Sequence, residues 1–161
     1  MLDLVGLARL MNELLEDGVN VALPRGACEI DMLAYVDSRT AACTIASVPI
    51  KVTSCRSDAL ASNLEAARAS GLLIALVWGI SNSEHARTFA FTPAELTVVK
   101  MIAIIGRTSA ARSGEPADPA CAPEAVLQNA LEPFAMSPGK WRKKIVAILE
   151  GKSISHCSNR F

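Results

Sequence analysis

The chain predicts an α/β fold, with one mixed central sheet of about five strands flanked by helices. Three observations carry this. A leucine-rich amphipathic stretch opens the chain, and two alternating apolar segments follow it, separated by turn residues. After a second helical stretch comes a run apolar on every side, LLIALVWGI. Alternation across short turns points to antiparallel pairing. A helical crossover into a continuously apolar strand points to a parallel neighbour buried on both faces.

The elements follow in order. Residues 2–16 predict the first helix: Leu4, Leu7, Met11, Leu14 and Leu15 fall on one stripe, and Gly18 is the natural stop. Val19, Val21 and Leu23 alternate as a short strand ended by Pro24. CEIDMLAYV, residues 28–36, is the second strand. It places Cys28, Ile30, Met32, Ala34 and Val36 on one side and Glu29, Asp31, Leu33 and Tyr35 on the other. Residues 42–54 predict the third, with Val48, Ile50 and Val52 opposite Pro49, Lys51 and Thr53. Pro49 removes a ladder donor, which predicts an edge, a bulge or an irregular strand near a site.

Residues 58–70 predict a second helix on Leu60, Leu64 and Ala67, and RTFAF a fifth strand. Thr92-Pro93-Ala94-Glu95 has the composition of a capping box with proline at the first helical position. It opens a helix predicted to run to Ile105, before Gly106. The α/β core is thus assigned to residues 1–106 and a Pro/Ala-rich linker region with a short helix to 107–136. A basic C-terminal helical extension takes residues 137–161.

The chain has 161 residues, 51% apolar and 20% charged, enough for one folded domain with a real core. Lysine and arginine balance aspartate and glutamate at 16 each, so no global charge signals nucleic acid. The distribution is uneven. Residues 1–37 carry seven acids against two bases, and residues 139–161 carry six bases against one acid. Such asymmetry marks either an anionic-partner surface or two solvated helix faces.

Five cysteines lack C-x-x-C or zinc spacing and fit reduced thiols in a cytoplasmic protein. The N-terminus has no basic region of the signal-peptide kind, and the apolar run Gly71 to Ile80 is too short to span a bilayer. The expectation is a protein with no membrane partner. Ample apolar content leaves room for a homodimer. No phosphate-cradling glycine loop, no G-x-S-x-G elbow and no H-E-x-x-H is present. With 4% aromatic residues, stacking platforms for single strands are not expected.

What remains is Asp31 on the second strand and Lys51 on the third. If these strands pair, a carboxylate and an ammonium meet on one sheet face, with Glu29 two residues before Asp31. A carboxylate pair suits Mg²⁺, which takes oxygen ligands and keeps part of its water shell. A neighbouring lysine can orient a water or offset charge on a phosphodiester. The plain alternative is a cross-strand ion pair on a half-exposed face, with Glu29 facing solvent.

The text GVNVALPRGACEIDMLAYVD followed by SVPIKVTS, on this element order, resembles the restriction endonuclease-like PD-(D/E)XK nuclease superfamily over roughly residues 2–100. The resemblance implies a three-layer fold and a Mg²⁺-dependent nuclease acting on nucleic acid. Asp31 would be its metal-binding aspartate and Lys51 its catalytic lysine. Two residues before the lysine the superfamily carries an acid or glutamine; here it is Pro49. The residue before the aspartate is Ile30 rather than proline. Leu7 falls near the place of the first-helix glutamate, for which Glu13 is the nearest substitute.

Some members place the second carboxylate on the following helix, about fourteen residues after the lysine, where this chain has Glu65. Glu29 or Glu65 would then complete the metal shell. Without a complete site, the same fold would be an inactive module binding DNA or a protein. Lys140, Arg142, Lys143 and Lys144 beside Trp141 could clamp a phosphate backbone, or could be an exposed helix turn.

Overall fold

The computed structural model describes residues 2–25, 29–36, 46–55, 73–80, 86–112 and 129–151. Helix α1 (Leu2–Glu16) leads into strands β1 (Asn20–Ala22), β2 (Met32–Tyr35), β3 (Ser47–Cys55), β4 (Leu73–Trp78) and β5 (Arg87–Phe91). Helix α2 (Pro93–Arg112), a 3-10 turn (Glu132–Phe134) and helix α3 (Lys140–Leu149) complete the described chain. The second helix predicted over 58–70 lies outside the described residues.

The five strands form one sheet in chain order. β1 to β3 are antiparallel neighbours, β3 and β4 run parallel, and β5 returns antiparallel. The mixed α/β sheet is therefore as the sequence predicts. Alternation sorts its side chains. Val48, Ile50, Val52, Leu73, Ala75 and Val77 pack with Leu10 and Leu14 of α1 and Trp141 and Ile145 of α3. Ile74, Leu76, Phe89 and Phe91 face the other way, onto Leu96 and Val99 of α2 and Leu131. β4 is buried on both faces, which is why its sequence lacks alternation.

Helix α1 ends as predicted. Gly18 adopts φ 68°. Its N–H donates to Leu15 O at 3.0 Å, and the Val19 N–H to Leu14 O at 2.9 Å. That paired closure satisfies carbonyls the helix leaves open. The buried stripe is rotated from the one predicted. Leu10 and Leu14 are fully buried, whereas Leu4 is 70% exposed and Leu15 50%. Gly6 sets the rotation: a Cβ there would collide with the Ser54 hydroxyl of β3. The helix can press its Gly6 side on the sheet only because that side chain is absent.

β3 accommodates Pro49 without losing a ladder bond to β2. The Val52 N–H points toward the β2 side, so the Pro49 nitrogen, three residues back, points toward β4. Among the described residues, pairing with β4 runs from Ile50, opposite Leu73. Pro49 is therefore in an interior strand, paired with Leu33, rather than at an edge.

Helix α2 opens on the predicted box. The Thr92 N–H donates to Glu95 Oε2 at 2.6 Å, and the Glu95 N–H to Thr92 Oγ1 at 3.4 Å. It does not stop before Gly106 but continues to Arg112. A glycine inside a helix costs only about 1 kcal/mol relative to alanine. Helix α3 is no peripheral extension. Trp141 and Ile145 are fully buried, and its N-terminus is capped from α1. Asp17 accepts the Gly139 N–H at 2.5 Å and the Trp141 N–H at 2.9 Å. A carboxylate at that end offsets the helix dipole and the cations gathered there.

Candidate functional site

The pair singled out by the sequence does meet. Asp31 sits one residue before β2, and its N–H donates to Ile50 O at 3.0 Å. That bond swings the carboxylate across β3. Asp31 Oδ2 accepts the Val52 N–H at 2.7 Å, and Oδ1 accepts the Lys51 ammonium at 3.1 Å. The carboxylate takes the place of a strand carbonyl where β2 has not yet begun. The Lys51 side chain is 42% exposed and that of Asp31 29%. Strand alternation puts both on the sheet face opposite α1, beside the region where α2 covers β4 and β5.

The energetics give the pair two parts. An ion pair this exposed contributes about 0–1 kcal/mol. The bond from a main-chain N–H to a carboxylate is the stronger one, about 1.5–3 kcal/mol before discounting for partial exposure. Asp31 is thus held by the backbone, and Lys51 is the freer partner.

The other predicted residues are placed as follows. Glu29 is exposed two residues before Asp31. Glu65 lies outside the described residues. Among the described residues no three His, Cys, Asp or Glu side chains gather as a metal-holding group. Glu13 is bound on the opposite face. Its Oε1 accepts from Arg9 Nε at 3.0 Å and Thr88 Oγ1 at 2.8 Å, and its Oε2 from Trp141 Nε1 at 3.2 Å. It ties α1, β5 and α3 together and does not face Asp31.

The basic turn of α3 is largely used within the fold. Lys140 Nζ donates to Ala135 O at 2.9 Å, and Arg142 Nη1 to Gly18 O at 2.8 Å. Lys144 is buried and donates to Glu95 Oε1 at 3.1 Å and Oε2 at 2.8 Å. Lys143 is exposed. Its helix packs through Trp141 and Ile145 on the face opposite Asp31 and Lys51.

Sequence reasoning missed the Lys144–Glu95 pair and the Asp17 cap. Both join residues far apart in the chain, so local pattern carries no signal for them. No protein-family model matches the chain, nor does any curated protein or solved structure.

Proposed function

We propose that this chain is a divergent PD-(D/E)XK-like protein acting on nucleic acid, a Mg²⁺-dependent phosphodiesterase with Asp31 and Lys51 at its site. The observation that carries the reading is the 3.1 Å contact between a carboxylate and an ammonium twenty residues apart, half-exposed on adjacent strands. The sheet order supports it: two antiparallel pairings that bring Asp31 to Lys51, then a parallel partner for β3.

The donor set fits a lightly anchored Mg²⁺. Each Asp31 oxygen accepts one hydrogen bond and keeps a further lone pair. Mg²⁺ is commonly held by one or two carboxylates, with water and phosphate completing the shell. Asp31 would hold it, with Glu29 or Glu65 as the second carboxylate; Pro49 offers no donor. The ion would supply charge stabilisation at the leaving oxygen. The chain's own groups do the rest. The Val52 N–H keeps the Asp31 carboxylate oriented, so it need not reorganise when substrate arrives. Lys51 donates a hydrogen bond to the attacking water or to a non-bridging phosphate oxygen and brings a positive charge to the phosphodiester.

The test is cleavage of double- and single-stranded DNA and RNA in Mg²⁺ or Mn²⁺. Cutting that Lys51→Ala and Asp31→Asn abolish is the expected result. Absence of cutting on every substrate, with no heat of metal binding, overturns the reading.

Pro49 favours a second reading, an inactive module of the same fold that binds DNA or a protein. It stands where a second carboxylate would be, and both Asp31 oxygens already have donors. Metal-independent DNA binding that weakens with salt, and whose salt slope flattens in Arg142→Gln and Lys143→Gln, would support it.

A further inference from the structure

A groove lies beside the β5 edge of the sheet, where α2 and α3 approach each other. It runs between α2, the 3-10 turn and α3 and holds about 500 Å³. Val98, Ile102, Phe134, Met136 and Ala147 give it apolar walls. At its floor Lys144 is neutralised by Glu95, and its ammonium lies 6.0 Å from the Phe134 ring centre. At its rim stand Lys140 and Lys143. The lining therefore holds three cations against one anion. Lys140 is turned to the Ala135 carbonyl. Lys143 makes no ion pair or hydrogen bond among the described residues and is the cation left to meet a ligand.

We propose that this groove binds a small anionic amphiphile, an acyl chain ending in a carboxylate, with the chain between Val98, Ile102 and Ala147 and the carboxylate at Lys143. Size and charge select this occupant. Small-molecule sites enclose about 300–1,000 Å³, mostly apolar with a few placed polar groups. Twelve of the described residues line the groove, whereas a stable protein interface engages about 20–30 on each side. A neutral ligand would leave the excess positive charge of the lining without use.

The test is calorimetric titration of the full chain with octanoate, decanoate, dodecanoate and decanol as monomers in solution. Saturable one-to-one binding of the acids is expected, tightening about fourfold for each methylene that enters the groove. Decanol should bind more weakly than decanoate. Lys143→Gln, a surface change, should weaken decanoate about three- to tenfold and leave decanol unchanged. Ala147→Trp, which fills the groove, should remove binding of all four while the thermal melt persists. The proposal is overturned if no acid binds saturably, or if acid and alcohol bind alike. It is equally overturned if Lys143→Gln has no effect, or if decanoate fails to bind and the chain forms a dimer that Ala147→Trp breaks, which would make the occupant a second copy.

Discussion

Lys144→Met tests how the two sides of the sheet are joined. The Lys144 side chain is 9% exposed and that of Glu95 12%, and the ammonium reaches both carboxylate oxygens. Methionine keeps an unbranched apolar side chain one heavy atom shorter than that of lysine and removes the ammonium with its charge and donors. It would leave the Glu95 carboxyl group in a nearly dry place with the Thr92 N–H as its remaining donor among the described residues. Breaking a buried pair in this way costs about 3–5 kcal/mol. The retained Thr92 bond puts the expectation near the lower end, about 3 kcal/mol. For a chain of this size that lowers Tm by about 6–12 °C. The assay is urea unfolding at constant m, carried out as a cycle with Glu95→Gln, which keeps an acceptor for the Thr92 N–H. The double variant should return to within about 1 kcal/mol of the parent, giving a coupling of at least about 2 kcal/mol. A cost below about 1 kcal/mol for Lys144→Met, or single effects that simply add, would refute the reasoning.

Three further outcomes follow from the same geometry. Asp17→Ala should cost about 1–2 kcal/mol in urea unfolding, and Asp17→Asn about half of that, because asparagine has one acceptor oxygen and can cap only one of Gly139 and Trp141. Gly6→Ala should cost about 1–3 kcal/mol by overpacking. Most of that cost should vanish with Ser54→Ala, since the colliding hydroxyl goes and it is buried without a hydrogen-bond partner among the described residues. Asp31→Ala should cost about 1–2 kcal/mol by stripping the Val52 N–H of its acceptor, whereas Lys51→Ala should cost under about 1 kcal/mol. Equal losses in the two variants, measured by the same unfolding curves, would contradict the division of roles drawn for the pair.

What the sequence made legible was local. Thr92 and Glu95 are three residues apart, so their box is written in the chain, as is the Gly18 stop. Alternation placed Asp31 and Lys51 on one face, and antiparallel pairing of β2 with β3 did the rest. Where the outcome depends on distant partners, the reading slipped. Helical spacing alone puts Leu4, Leu7, Met11, Leu14 and Leu15 on the α1 stripe, but the face that is buried is chosen by Gly6 against Ser54 and by Glu13 against Thr88 and Trp141. Gly106 looked like a stop because glycine is a weak helix former, yet its cost is small enough for the helix to continue. The basic turn of α3 looked like a free surface because nothing near it in sequence is acidic. Its answering groups, Asp17 and Glu95, come from α1 and α2.

The bond between Asp31 and Val52 gives the candidate site a spectroscopic voice of its own. The carboxylate that accepts this main-chain proton is also the group a cation at the site would claim. A ligand that draws on Asp31 therefore withdraws electron density from the acceptor of a single peptide proton, without turning the carboxylate. The Val52 amide should then shift in a nitrogen–proton correlation spectrum and exchange with deuterium at a changed rate, while amides deep in β4 stay fixed. Occupancy of this corner can thus be read from one backbone resonance, before any substrate is known.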